Sequence, residues 1–256
     1  MKEYDQLCND LRFGTRLLFR DLGDPWGHIA VRLPEGDKRS GFILKHVRVP
    51  PPPGDPNAVM IFDYDGNCLE GARTRPWEIP IYTAIFKARA DVQSVIHTHP
   101  HIATALTMAG KTVFAITHQS AQFEHGVPVF PGDMINTNEL GEGLAETLGN
   151  FPAALLKGHG AVSIGANIGH AVQNTLYLEQ AARQQILAAT LGTPEVLEER
   201  FIEFHRKPPA GEGGLALWYT KMHYEQSEIK TTVSRSTASR GTAKRKAVPG
   251  RRRTRR

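Results

Sequence analysis

The chain has 256 residues, 40% of them hydrophobic and 22% charged, the composition of a soluble globular protein able to bury a substantial core. It has no apolar run of the roughly 18–20 residues that a membrane span needs, and its first residues lack the layout of a signal peptide. Two cysteines, Cys8 and Cys68, are too few for a disulfide framework or a thiolate metal cage, so a cytoplasmic protein with reduced thiols is expected.

The net charge of +5 is unevenly spread. Eleven of the 31 Lys and Arg, and none of the 26 Asp and Glu, fall in residues 230–256, which leaves 20 basic and 26 acidic residues and a net charge of −6 in residues 1–229. The organisation read from this is a catalytic domain over 1–229 and a basic tail over 230–256. The tail is too poor in apolar residues to offset its ordering entropy, so it is expected to be disordered. It could touch polyanions only through nonspecific electrostatics, having no aromatic residue to stack on a base.

Taken in chain order, Leu7, Leu11, Phe13, Leu17, Leu18 and Leu22 are spaced for a helix over 5–22. Residues 27–33 and 41–47 read as strands, and the prolines of 50–53 and 54–56 as a rigid loop. Strands over 59–63 and 68–70 flank Tyr64-Asp65-Gly66-Asn67, a hairpin signal. A helix over 78–90 is followed by a strand over 92–97. A helix over 102–109, entered through Pro100, and a short strand over 112–117 come next. Helix 139–148 ends at Gly149. Strands 154–156 and 161–164 lie on either side of Lys157-Gly158-His159-Gly160, and Asn167 caps a long helix reaching about residue 191. Helices over 194–205 and 215–228 close the series. The predicted fold is a single α/β/α domain with a mixed, largely antiparallel central sheet flanked by helices.

Three of the eleven histidines stand out by position. His97 and His99 follow a strand and, being alternate residues, present imidazoles to one side, with Cα atoms roughly 6–7 Å apart. Pro100 then opens a helix, so the pair sits at a strand end, where α/β sheets bind ligands. His159 lies between two glycines that permit a sharp turn and close approach. Three histidines with an open position make a frequent catalytic metal site; ordinary hydrogen-bonded histidines are the alternative. A metallo-β-lactamase-type site would need Asp and His after the pair, where Pro100-His101-Ile102 stand. A cupin-type site would need a Glu where Ala103 and Thr104 stand.

The segments Gly27-His28-Ile29-Ala30-Val31-Arg32, Trp77-Glu78, Val95-Ile96-His97-Thr98-His99-Pro100, Leu155-Leu156-Lys157-Gly158-His159-Gly160 and Leu178-Glu179-Gln180-Ala181-Ala182-Arg183 together resemble the class II aldolase/adducin family, in order, spacing and strand context. The match runs from about residue 7 to 191 and more loosely to 228. The resemblance implies one divalent ion per chain held by His97, His99 and His159, with Glu78 as the catalytic acid/base. It implies a carbon–carbon lyase working through a metal-stabilised enolate, assembled as a homotetramer with sites at subunit interfaces. Zinc, manganese, iron, cobalt and magnesium are all compatible with such a shell.

Departures from the sugar-phosphate members narrow the substrate. Those enzymes carry a Gly-Asn-x-Ser-like loop and a Ser-Ser pair before the Glu, which grip a phosphate. Here Gly27-His28-Ile29-Ala30 and Arg75-Pro76-Trp77 replace them. Trp77 offers an aromatic surface, and His28, Arg73 or Arg75 can pair with a carboxylate. Tyr82, one helical turn after Glu78, is a further candidate contact. His118 and His125 are candidates to line a neighbouring subunit's site. The pattern resembles the family's decarboxylase branch, such as 3,4-dihydroxyphthalate decarboxylase, acting on a hydroxyaryl or 3-oxo carboxylate. The alternatives are an aldolase or epimerase acting on a sugar phosphate and a non-catalytic adducin-like binding protein. Charge beside Glu78 pulls its pKa down and desolvation pushes it up.

Overall fold

The computed structural model describes residues 2–46, 59–71, 75–132, 134–206, 218 and 220–221. The chain divides into two compact units, Met1–Leu215 and Ala216–Arg256, and every element below belongs to the first. The predicted loop at 50–56, the basic tail and all of helix 215–228 except residues 218, 220 and 221 lie outside the described residues. Among those described, no helix is long and apolar enough to cross a membrane.

Helix α1 spans Lys2–Leu22. Its buried Cys8, Leu11, Thr15 and Leu18 recur every three or four residues and form one stripe. Gly14 lets that stripe approach closely: a Cβ there would lie 3.2 Å from both Ile29 and Val172 side chains. The helix stops at Gly23, whose φ of +68° suits a residue without a side chain.

Strands β1 (His28–Arg32), β2 (Gly41–His46), β3 (Met60–Asp63) and β4 (Cys68–Glu70) form an antiparallel meander. The β3–β4 turn is the predicted hairpin, tied by Asp63 Oδ1 accepting from the backbone N–H of Asp65 and Asn67. Helix α2 (Ile79–Ala88) crosses to β5 (Ser94–Thr98), and α3 (His101–Met108) follows at once. A 3₁₀ helix (His118–Phe123), strand β6 (Val129–Phe130), helix α4 (Asn138–Leu148), strands β7 (Ala153–Leu156) and β8 (Gly160–Gly165), helix α5 (Ile168–Ala189) and helix α6 (Glu199–Arg206) follow among the described residues.

The sheet order is β4-β3-β2-β1-β5-β8-β7-β6. All its pairings are antiparallel except β6 with β7. Strand alternation sorts the core into two halves. Ala30, Phe42, Leu44, Phe62, Val95, Ala154 and Leu156 pack with α2 and α4 on one face. Ala153, Leu155 and Ala161 pack with α3 and α5 on the other. Asn167 caps α5 as expected, its side chain accepting from His170 N.

Two predicted elements differ, and they share a cause. Residues 112–117 form no strand, and helix 194–205 begins only at Glu199. Ala115 spends its backbone on Leu197 N and Glu124 O, and Phe114 N donates to the Gln185 side chain. These partners come from loops and a helix, so neither a ladder nor an extra helical turn forms. The two-residue β6, set between Pro128 and Pro131, was not anticipated.

The N-terminus of α3 has no cap of its own, since Pro100 precedes it. Glu179 on α5 supplies one: its carboxylate accepts from Ile102 N at 3.0 Å and Ala103 N at 3.0 Å. Negative charge on free N–H groups at a helix start is stabilising. Glu179→Ala is expected to lower unfolding free energy by about 1–2 kcal/mol, the range of a lost helix cap. Urea denaturation checks this, and an unchanged midpoint would contradict the capping role.

Candidate metal centre

Antiparallel pairing sets the site. Strand β5 runs between β1 and β8 with His28 opposite His97 and Ala161 opposite Thr98. The end of β5, the start of β1 and the β7–β8 turn therefore meet at one end of the sheet. Two glycines make the approach possible. A Cβ at Gly27 would lie 2.7 Å from His97 O, and one at Gly160 would lie 2.4 Å from Thr98 O. The turn itself needs Gly158, at φ +70°.

His97, His99 and His159 converge there, each offering one ligand atom, all within 4.8 Å of one another. His97 is fully buried and the other two are partly so. His97 Nδ1 lies 3.1 Å from Ala161 O, which can only accept, so the ring proton belongs on Nδ1. Nε2 is then left as a lone pair. It is buried without a well-aligned hydrogen bond, although Glu78 Oε2 lies 3.2 Å away. His99 Nε2 and His159 Nε2 face each other at 3.3 Å. Two lone pairs at that distance need a shared proton or a cation between them. This donor set fits one divalent ion bound by three imidazoles.

Glu78 occupies the N-cap position of α2 and is buried. Its Oε2 is 3.2 Å from His97 Nε2 and its Oε1 is 3.8 Å from His159 Nε2, while Ile135 N donates to Oε1 at 3.3 Å. Burial raises its pKa, but a hydrogen bond and positive charge from His97 (protonated on Nε2 as well as Nδ1 when no ion is bound), the charge of His159 and the Ile135 N–H together outweigh it and bring the group down to about 2. Of the two opposing influences, charge prevails. Asp24, in the turn between α1 and β1, shows the same balance. Burial raises it, while hydrogen bonds from His99 and from Trp26 N hold it at about 2.

The other predicted contacts are dispersed. Trp77 is 74% exposed and directly precedes Glu78. His28 is buried beside His97 in register, its ring edge-on to Tyr82 at 6.3 Å. Tyr82 is fully buried in the α2 core, and its hydroxyl has no hydrogen-bond partner among the described residues, so it does not grip Glu78 through a hydrogen bond. Arg75 is exposed, and Arg73 lies outside the described residues. His101 is exposed on the first turn of α3. His118 stacks on Phe201 and His125 pairs with Glu199, both on α6. Sequence reasoning missed Asp24 and the Ile135 N–H. A lone Asp in a loop carries no pattern, and a backbone donor leaves none at all.

A sheet of this order with three imidazoles at one strand end defines a class II aldolase fold. The aldolase II superfamily protein from Pseudomonas syringae shares it, with a TM-score of 0.72 at 23% identity over 87% of this chain and 93% of that one. Residues 23–186 match the Class II Aldolase and Adducin N-terminal domain, and the chain belongs to that family. It is 28% identical over 192 residues to a 3,4-dihydroxyphthalate decarboxylase of Arthrobacter keyseri, covering 69% of this chain and 75% of the relative. It is 26% identical over 158 residues to a 5-deoxy-D-ribulose 1-phosphate aldolase of Bacillus thuringiensis serovar kurstaki, covering 62% and 74%.

Glu78 and Asp24 have folded-state pKa values of about 2 against ordinary values of 4.5 and 3.8. Depressed carboxylates stabilise the fold fully above their ordinary pKa and lose that stabilisation as pH falls through the folded value. The metal-free protein should therefore lose thermal stability steadily from about pH 5 towards pH 2. Glu78→Gln removes one of the two groups and should flatten the decline. A parallel decline in parent and variant would show that Glu78 has no linked charge.

Proposed function

We propose that the protein is a divalent-metal-dependent carbon–carbon lyase, and most specifically a decarboxylase of a non-phosphorylated hydroxyaryl or 3-oxo carboxylate. The observation that carries the lyase reading is the convergence of His97, His99, His159 and Glu78 on one point. An ion held by the three histidines would supply a Lewis acid that takes up negative charge as the carbon–carbon bond breaks.

The chain's own residues account for the rest. Glu78 is ionised at rest, so it can take a proton from a substrate hydroxyl and return it to the carbon that carbon dioxide leaves. Ile135 N–H donates to Oε1 and holds the carboxylate in place, with Oε2 turned toward His97 Nε2. Trp77, exposed next to Glu78, suits a flat ring. His28 and Arg75 are the groups we assign to a substrate carboxylate. The absence of hydroxyls from Gly27-His28-Ile29-Ala30 and Arg75-Pro76-Trp77 favours a substrate without phosphate. The decarboxylase among the relatives supports this choice, and the aldolase among them keeps sugar-phosphate cleavage as the second reading. We extend to this chain the homotetramer expected from its family resemblance.

Elemental analysis of the purified protein should find about one divalent ion per chain, lost in His97→Ala. A native protein that stays metal-free after reconstitution with zinc, manganese and iron would sink the lyase reading and favour a binding protein. Glu78→Gln should keep the ion and lower kcat by about 10²–10⁴-fold. Loss of the ion instead would make Glu78 a ligand. Metal-dependent release of carbon dioxide from hydroxyaryl carboxylates identifies a decarboxylase. Aldehyde release from phosphorylated ketoses identifies an aldolase.

A further inference from the structure

The geometry points to Asp24 as a positioning residue for the histidine cluster: its carboxylate keeps the His99 ring proton on Nδ1, so that Nε2 presents a lone pair to an ion. The second clause rests on reading the cluster as a metal site, whereas the tautomer itself does not.

Asp24 lies 75 residues before His99, in the turn that follows α1. Its side chain is 1% exposed. Oδ1 accepts from Trp26 N at 2.8 Å and Oδ2 from His99 N at 2.8 Å. His99 Nδ1 lies 3.2 Å from both oxygens. An ionised carboxylate accepts and cannot donate, so the nitrogen facing it carries the proton. The same carboxylate fixes both the backbone and the ring of His99. The turn is shaped around it, since a Cβ at Gly27 would lie 2.9 Å from Asp24 Oδ2.

The three imidazoles are not held alike. His97 Nδ1 meets a neutral carbonyl, that of Ala161. His99 Nδ1 meets a negative charge, which makes its Nε2 the more basic donor. In Asp24→Asn one oxygen stays within reach of Nδ1, but the other becomes an NH2 at the same distance and the negative charge is gone, so the Nδ1–H tautomer loses its advantage and Nε2–H, on the atom an ion needs, gains. In either amide orientation one of the two backbone N–H groups also loses its acceptor, so some loss of fold stability accompanies the change and must be measured apart.

The test uses imidazole ¹⁵N–¹H correlation spectra of the full, metal-free chain at about pH 8, above the ordinary imidazole range, with His99 assigned through His99→Gln. The parent should show the Nδ1–H tautomer at His99, and Asp24→Asn a larger share of the Nε2–H tautomer. Zinc affinity, measured by competition with a chelator, should fall roughly 10–100-fold in Asp24→Asn, with metal-free melting recorded alongside as the fold control. An Nε2–H tautomer in the parent overturns the proposal. So does a folded Asp24→Asn protein whose zinc affinity stays within about twofold of the parent. Should that variant fail to fold, the parent tautomer decides alone. A parent with the Nδ1–H tautomer and no zinc affinity would overturn the metal reading while upholding the hold of Asp24 on His99.

Discussion

The site depends on how closely β5 is approached from either side. The carbonyls of His97 and Thr98 lie so near Gly27 and Gly160 that a methyl group on either would sit 2.7 Å and 2.4 Å from them. Contacts that short do not occur, so backbone would have to move apart. The antiparallel register then does the rest. His97 falls opposite His28 on one side and Val162 on the other, and the 157–160 turn delivers His159 to the same end. Removing side-chain bulk at two positions lets three imidazoles from two distant segments share one focus.

Electrostatics makes that focus attractive to a cation. Two buried carboxylates, Glu78 and Asp24, remain ionised beside it. Burying such charges without partners costs several kcal/mol each. They are tolerated because imidazoles and backbone N–H groups surround them. The lone pairs of His97, His99 and His159 add to the negative potential. A divalent ion would satisfy the nitrogens and offset the charge of both carboxylates. The rigid surroundings fix this arrangement in advance, from the Ala161 carbonyl on His97 to the Glu179 carboxylate on the helix that follows His99.

Much of this was legible in the chain's pattern. The strands on either side of the site read as short apolar runs, because each buries one set of residues against α2 and the other against α5. The spacing of His97 and His99 on a strand, and the glycines around His159, announced their convergence. Legibility failed where partners are remote and irregular. Residues 112–117 have a strand's composition, yet their hydrogen bonds go to Leu197, Glu124 and Gln185. Tyr82 sits on the Glu78 side of α2 by helical spacing, yet its hydroxyl is sealed in the core. Periodicity gives a direction and not a depth.

The sequence by itself determined most of the element order, the sheet's largely antiparallel character and the cluster of His97, His99 and His159 with Glu78 beside it. These follow from local spacing and from family motifs carried in short segments. Only the tertiary structure decided which carboxylate orients His99, which backbone N–H holds Glu78, and whether burial or charge governs its ionisation. Asp24 meets His99 across 75 residues, and Ile135 meets Glu78 across 57. No local pattern encodes a hydrogen bond of that reach, because it exists only once the strands between have paired.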